Sequence, residues 1–333
     1  MNACNVGASV LKRSRAVCAL VGLLWVFVYP VRGAVAGTHA VELTGRVLVL
    51  GDSITQDGRY VTFVEYLLKR RAPDSKCDLI SIGLSSETVS GLSESNHPYP
   101  RPTVLERLDR ALKATKPQLV IACYGMNDGI YHPSSPERLN AFKTGIRQLV
   151  DQVHAAGASL VLVTPPVFDA KSIPARTVPS TAPEFGYSKP FVDYDSVLAE
   201  FAGIENGFAG PAVTVIDLHA AMSAALTEKR TTDAAFTFAP DGVHPGDAGH
   251  FLIARVVLRG LGYASPANTD TALEETLADP LFELIRDRRQ LRSEAWLAFV
   301  GYRREAPFKS GFVTAAEQVV ARLQREIDAL ARR

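Results

Sequence analysis

Four short stretches of the chain hold the residue types that acyl transfer needs. They are Gly51-Asp52-Ser53-Ile54, Ser81-Ile82-Gly83-Leu84, Gly125-Met126-Asn127-Asp128 and Asp241-Gly242-Val243-His244-Pro245. A serine hydroxyl is a weak nucleophile until an adjacent base takes its proton, and histidine is the usual base near neutral pH. A carboxylate must fix the imidazole tautomer and stabilise the imidazolium. Ser53 and His244 fit the first two parts. Asp241, three residues before His244 in the same loop, is spaced to turn back onto the ring. The oxyanion that forms needs donors already in place, and the amides of Ser53 and Gly83 with the Asn127 side chain would supply them.

Taken singly, each stretch has an ordinary explanation. Gly-Asp-Ser is also a turn or a helix cap, Gly83 a strand end, Asn127 a turn residue, and a histidine in a Pro/Gly loop a solvated side chain. The combination carries the weight, because each stretch follows a candidate strand. His244 is preferred to the other histidines because it alone has a carboxylate at the right local spacing. His219 and His250 fall in or near helices and read as structural, and His97 lies in a long loop. Asp52, Tyr124, Tyr131 and His132 fall close enough to the four stretches to be candidates for lining the substrate site.

The elements that must position these residues follow from the apolar pattern. Strands are predicted over Arg46–Leu50, Asp78–Ile82, Gln118–Tyr124, Ser159–Thr164 and Val213–Leu218. Helices are predicted over Tyr60–Arg71, Thr103–Thr115, Pro136–Ala156, Pro190–Phe208 and Asp247–Leu261. Strand–helix alternation implies a parallel sheet covered on both faces. The expectation is an α/β fold, a flavodoxin-like three-layer α/β/α sandwich with a five-stranded parallel sheet in the order 2-1-3-4-5. In that order Cys77 and Cys123 lie on strands either side of the first, about 9–10 Å apart at a spacing of about 4.8 Å per strand. A disulfide needs Cα atoms within about 7 Å, so both thiols are expected to stay reduced. Two long loops, Leu84–Pro102 and Pro165–Lys189, leave the carboxyl ends of strands, where a site should lie.

The 333 residues carry a formal net charge of +1, which points to no nucleic-acid or polybasic membrane partner. Lys12, Arg13 and Arg15 precede an apolar run from Ala16 to Tyr29, Pro30 ends it, and Ala34-Val35-Ala36 offers small residues for cleavage. That is the layout of a secretory signal peptide over residues 1–36. The run is short for a membrane span, which needs about 20 apolar residues, although an uncleaved anchor is the alternative. Removing the leader takes four basic and no acidic residues with it, turning +1 into −3. The main domain is expected over residues 40–265. Residues 269–333 then show two amphipathic helical patterns, Leu281 to Phe299 and Ala316 to Leu330. They would pack on the core or serve as a dimerisation or cell-surface appendage.

The four stretches, written VLVLGDSIT, ISIGLSSETVSG, GMND and DGVH, resemble the blocks of the SGNH (GDSL-type) hydrolase family over about residues 46–261. The resemblance implies Ser53 as nucleophile, His244 as base, Asp241 as orienting acid, and Gly83 and Asn127 completing the oxyanion hole. Related proteins often carry Asn where this chain has Ser81. The serine lies in G-D-S and not in the G-x-S-x-G elbow of α/β-hydrolases. The implied activity is that of an exported serine esterase needing no metal or cofactor. Its substrates would be short-chain or carbohydrate O-acyl esters, because the 165–189 loop offers no long apolar lid. A lysophospholipase or thioesterase is the alternative. A catalytically silent carbohydrate-binding module would not need all four blocks. A nucleotide-binding flavodoxin-like protein is disfavoured because GDSITQDG has neither a dinucleotide fingerprint nor a P-loop lysine.

Overall fold

The computed structural model describes residues 41, 43–301 and 310–333; the expected leader lies outside them. In chain order the elements are β1 (Gly45–Gly51), α1 (Ser53–Asp57), α2 (Arg59–Arg71), β2 (Cys77–Ser81), α3 (Leu108–Thr115), β3 (Leu119–Cys123), α4 (Pro136–Ala155), β4 (Ser159–Val163), α5 (Tyr194–Asn206), β5 (Val213–Ile216), α6 (Leu218–Arg230), α7 (Asp247–Gly260), α8 (Asp270–Ala278), α9 (Pro280–Val300) and α10 (Ser310–Ala331). Among the described residues no helix is long and apolar enough to cross a membrane.

The sheet is parallel throughout, in the order β2-β1-β3-β4-β5, as the alternation of apolar runs predicts. Its central strands read as unbroken apolar runs, VLVLG and LVIAC, because helices cover both faces. Helices α2, α7 and α9 pack together on one side, and α3, α4 and α5 on the other. Register pairs Val49 with Ser81 and Gly51 with Cys123, so the segments after β1, β2 and β3 leave at one edge. Cys77 pairs with Gly45 and Cys123 with Gly51, which adds a stagger of about 20 Å along the strands to their lateral separation. Both cysteines are free.

Several boundaries differ from the sequence expectation, each for a local reason. The predicted strand Val213–Leu218 stops at Ile216 because Asp217 caps α6, accepting from the Ala220 amide at 2.9 Å. Helix α6 was not anticipated. The helix expected from Thr103 opens as a 3-10 turn over Val104–Glu106 and restarts at Leu108, since Arg107 between them turns inward. The helix expected from Pro190 begins only at Tyr194, because Phe191 is held in a bridge with Val178.

The C-terminal helices pack on the α/β core through α9, which lies against α2 and β2. Arg289 donates to Thr62 Oγ1 and to the Asp57 carbonyl, both at 2.9 Å. Arg288 pairs with Glu65, and Arg292 pairs with Asp78 and donates to the Leu79 carbonyl at 2.9 Å. Glu317 of α10 accepts from Arg292 at 2.8 Å and from Trp296 at 2.5 Å. Gly58, between α1 and α2, has φ 71°, and a Cβ there would lie 2.1 Å from Arg289 Nη1. A glycine suits the left-handed turn at that point, and any Cβ there would displace the guanidinium.

Arg107 and Glu87 form an ion pair whose side chains are fully buried, with two N···O contacts of 2.6 Å. Arg107 also donates to the Ile82 carbonyl at 2.8 Å, and the Tyr124 hydroxyl donates to Glu87 at 2.7 Å. One buried pair thus ties the segments after β2 and β3 to the start of α3. Arg107→Met should leave the Glu87 carboxylate uncompensated and lower the free energy of unfolding by about 3–5 kcal/mol, measured by urea denaturation.

Candidate active site

Helix α1 starts directly where β1 ends, and Asp52 makes the junction. Its Oδ1 accepts from the Ile54 amide at 3.0 Å, which caps α1 and presents Ser53 at the first helical position. Ser53 Oγ lies 2.8 Å from His244 Nε2. His244 Nδ1 lies 2.7 Å from Asp241 Oδ2. Asp241 Oδ1 accepts from the amides of Val243 and His244, at 2.9 and 2.7 Å, so the loop before α7 holds its own carboxylate in place. Burial pushes the Asp241 carboxyl up, but the bond from His244 and the two amides outweigh it and hold the group well below the usual carboxylate range. The bond to Asp241 raises the His244 imidazole above its ordinary value, against a smaller opposing effect of burial.

Gly83 is brought against α1. The amides of Ile82 and Leu84 donate to the carbonyls of Val49 and Gly51, at 3.0 and 2.9 Å, which pins Gly83 beside the end of β1. A Cβ at Gly83 would lie 2.3 Å from the Gln56 amide nitrogen, so only glycine fits. Ser81 makes a long 3.4 Å contact to the Thr55 carbonyl beneath α1.

Asn127 is buried with its amide oriented from behind. Its Oδ1 accepts from Arg101 Nη1 at 2.9 Å and from the Tyr131 hydroxyl at 3.1 Å. Its Nδ2 has only long contacts, 3.4 Å to Asp52 Oδ2 and 3.3 Å to the Glu87 carbonyl. Arg101 is fixed in turn by a doubly bonded, buried pair with Glu94, at 2.6 and 2.7 Å. The neighbouring Asp128 accepts from the amides of Val89, Ser90 and Gly125 at 2.7–2.9 Å and so closes the loop after β3 onto the loop after β2. Ile130 and Tyr131 both have positive φ, 47° and 59°. Such backbone costs on the order of 1–3 kcal/mol per residue, and here it carries the Tyr131 hydroxyl back to Asn127.

Of the four residues expected to line the substrate site, three are buried and His132 is half-buried. Asp52 is buried as the α1 cap, Tyr124 is buried on Glu87, and Tyr131 is buried on Asn127. His132 donates through Nδ1 to the Ile130 carbonyl at 2.6 Å and its ring lies 5.1 Å from that of Phe185. The cavity at Ser53, about 370 Å³, is lined instead by Ile54, Gln56, Asp57, Ser85, His244, Pro245 and His250. His250 is buried, accepts from the Tyr60 amide at 3.3 Å, and is pulled down to about 4 by burial. Tyr187 of the second long loop reaches Asp241 Oδ2 at 3.4 Å, with Arg176 over its ring. Arg101, Glu94 and Arg176 gave no signal in the sequence, since charged residues in long loops ordinarily face solvent.

Burial pushes the Asp52 carboxyl up to about 7 against an ordinary 3.8, outweighing the Ile54 amide and His244. The folded protein then binds more protons than the unfolded chain between about pH 4 and pH 7, so this group's contribution to stability is lost as pH rises through that window. Asp52→Asn, which keeps a side-chain oxygen for the cap, should flatten the fall of the melting temperature over that range in a pH series of thermal melts.

The GDSL-like Lipase/Acylhydrolase family matches residues 49–252, a span that holds all four blocks. An acetylxylan esterase of Geobacillus stearothermophilus is 26% identical over 233 residues, covering 66% of this chain and 94% of the relative. A solved catalytic mutant of an acetylxylan esterase from that organism aligns at 24% identity over 67% of this chain and 98% of its own, with a TM-score of 0.45. A gut microbial diltiazem-metabolizing enzyme shares the fold with a TM-score of 0.60, at 13% identity over 86% of this chain and 95% of its own. The chain belongs to the GDSL-like lipase/acylhydrolase family and is a carboxylic ester hydrolase.

Proposed function

We propose that the protein is an exported serine esterase that removes short acyl groups, acetyl above all, from hydroxyls of a carbohydrate such as xylan. The observation that carries the mechanism is the continuous chain Ser53 Oγ–His244–Asp241 at 2.8 and 2.7 Å. His244 Nε2 takes the Ser53 proton as Oγ attacks the ester carbonyl. The tetrahedral oxyanion is met by the amides of Ser53 and Gly83 and by Asn127 Nδ2, whose resting contacts of 3.3–3.4 Å are weak enough to give up. His244 then protonates the leaving sugar hydroxyl. A water molecule, deprotonated by the same imidazole, releases the acid from Ser53.

Two features favour a short acyl group and a hydroxylated alcohol. The cavity at Ser53 is about 370 Å³, near the lower end of the range of small-molecule sites, about 300–1,000 Å³, which suits acetyl better than a fatty acyl chain. The half-exposed Tyr187 ring, 6.3 Å from that of His244, offers a face on which a sugar could rest. The acetylxylan esterase relative supports the same reading. Export rests on the leader pattern of residues 1–36.

Ser53→Ala should abolish hydrolysis of p-nitrophenyl acetate and acetylated xylan; a variant that retained turnover would overturn the assignment. Loss of the Asn127 donor in Asn127→Ala should lower kcat by about 10²–10³. Protonated His244 cannot accept from Ser53, so kcat/KM should fall as pH drops, with a midpoint above the ordinary imidazole value of 6.5. Asp241→Asn removes the group that holds that midpoint up and should shift it to lower pH, read from pH–rate profiles on p-nitrophenyl acetate.

A further inference from the structure

We propose that the cavity between α9 and the Gly83 segment is a subsite for a sugar unit next to the esterified one, an inference that rests on the carbohydrate-esterase reading above. The cavity, about 340 Å³, lies within the range of small-molecule sites, about 300–1,000 Å³. Its inner wall is Thr55, Gln56, Asp57 and Gly83, and its outer wall is α9. Gln56 and Asp57 also line the cavity at Ser53, so the two spaces meet across the last turn of α1. Gln56 lies three residues from Ser53, a rise of about 4.5 Å along the helix, and its Oε1 is held by the Ser85 amide at 2.6 Å.

The lining of the outer wall specifies the class of ligand. Ser293 Oγ is buried with no hydrogen-bond partner among the described residues. Arg289, itself buried, spends its guanidinium on neutral acceptors, Thr62 Oγ1 and the Asp57 carbonyl. Gln290 and Glu294, both exposed and joined by a bond from Gln290 Nε2 to Glu294 Oε1 at 3.0 Å, supply an amide and a carboxylate, and Leu297 supplies an apolar surface. Donors, acceptors and one apolar face together suit a ring with hydroxyls on its edge and C–H groups on its face. An acyl chain would leave the buried Ser293 Oγ unpaired, and a multiply charged anion would meet Glu294 and Asp57. Helix α9 lies beyond the matched span of residues 49–252.

The test compares acetylated xylotriose with p-nitrophenyl acetate, which has no sugar to place. In Glu294→Ala, an exposed position that does not threaten folding, and in Ser293→Leu, which fills the cavity, the ratio of kcat/KM on the trisaccharide to that on p-nitrophenyl acetate should fall about tenfold, the size of one or two hydrogen bonds. The loss should lie in KM. A ratio unchanged in both variants overturns the subsite while leaving the esterase reading intact. Wild-type enzyme that cleaves p-nitrophenyl acetate but not acetylated xylotriose overturns the carbohydrate reading and the subsite with it.

Discussion

The fully buried pair of Arg107 and Glu87 fixes the edge of the sheet on which everything else stands. It is reached by the Ile82 carbonyl from the end of β2 and by the Tyr124 hydroxyl from the end of β3. A charge removed from water is tolerated only where it is paired and its other valences are met. The chain meets them, all but Arg107 Nη1, by drawing in the loops after two neighbouring strands. The Glu87 carbonyl then faces Asn127, so the placement of that amide inherits the geometry of the pair. Parallel register delivers the loops to one edge, and the ion pair sets how they lie there.

A second buried cation extends the same logic. Arg101, bonded twice to Glu94, donates to Asn127 Oδ1, and Tyr131 does the same from a strained turn. Two donors on the carbonyl end of an amide polarise it and leave its N–H₂ end the better donor. The loop after β2, long and rich in serine and proline, is thereby an ordered support for the oxyanion side of the site. The loop after β4 supports the opposite side, through Arg176 and Tyr187 on Asp241.

The strands and the Asp241–His244 pair were legible in the sequence because each depends on short-range pattern, whereas joining Ser53 to His244 across 191 residues rested on the resemblance of the four blocks to a known family. Apolar runs mark buried strands, and Asp241 with His244 lie within one turn of each other. What escaped was side-chain destination. Tyr124 and Tyr131 were placed near the substrate by their distance along the chain from Asn127, yet both point inward, since a carboxylate and an amide behind the site needed their hydroxyls. Asp217 looked like the interior of a strand and proved to be the cap that ends it. Arg101 and Arg107 lie six residues apart with no periodicity between them, and only the folded loops give either a reason to be buried.

The contact of Arg289 with Gly58 bears on how the protein divides. The span matched by the family ends before α9, yet the turn after the nucleophile's helix packs around a side chain from α9. A shortened protein ending at the matched span would keep every reacting group and carry an open notch beneath the helix that holds Ser53. The terminal helices are in this sense part of the catalytic body, and the matched span is not by itself a unit of architecture.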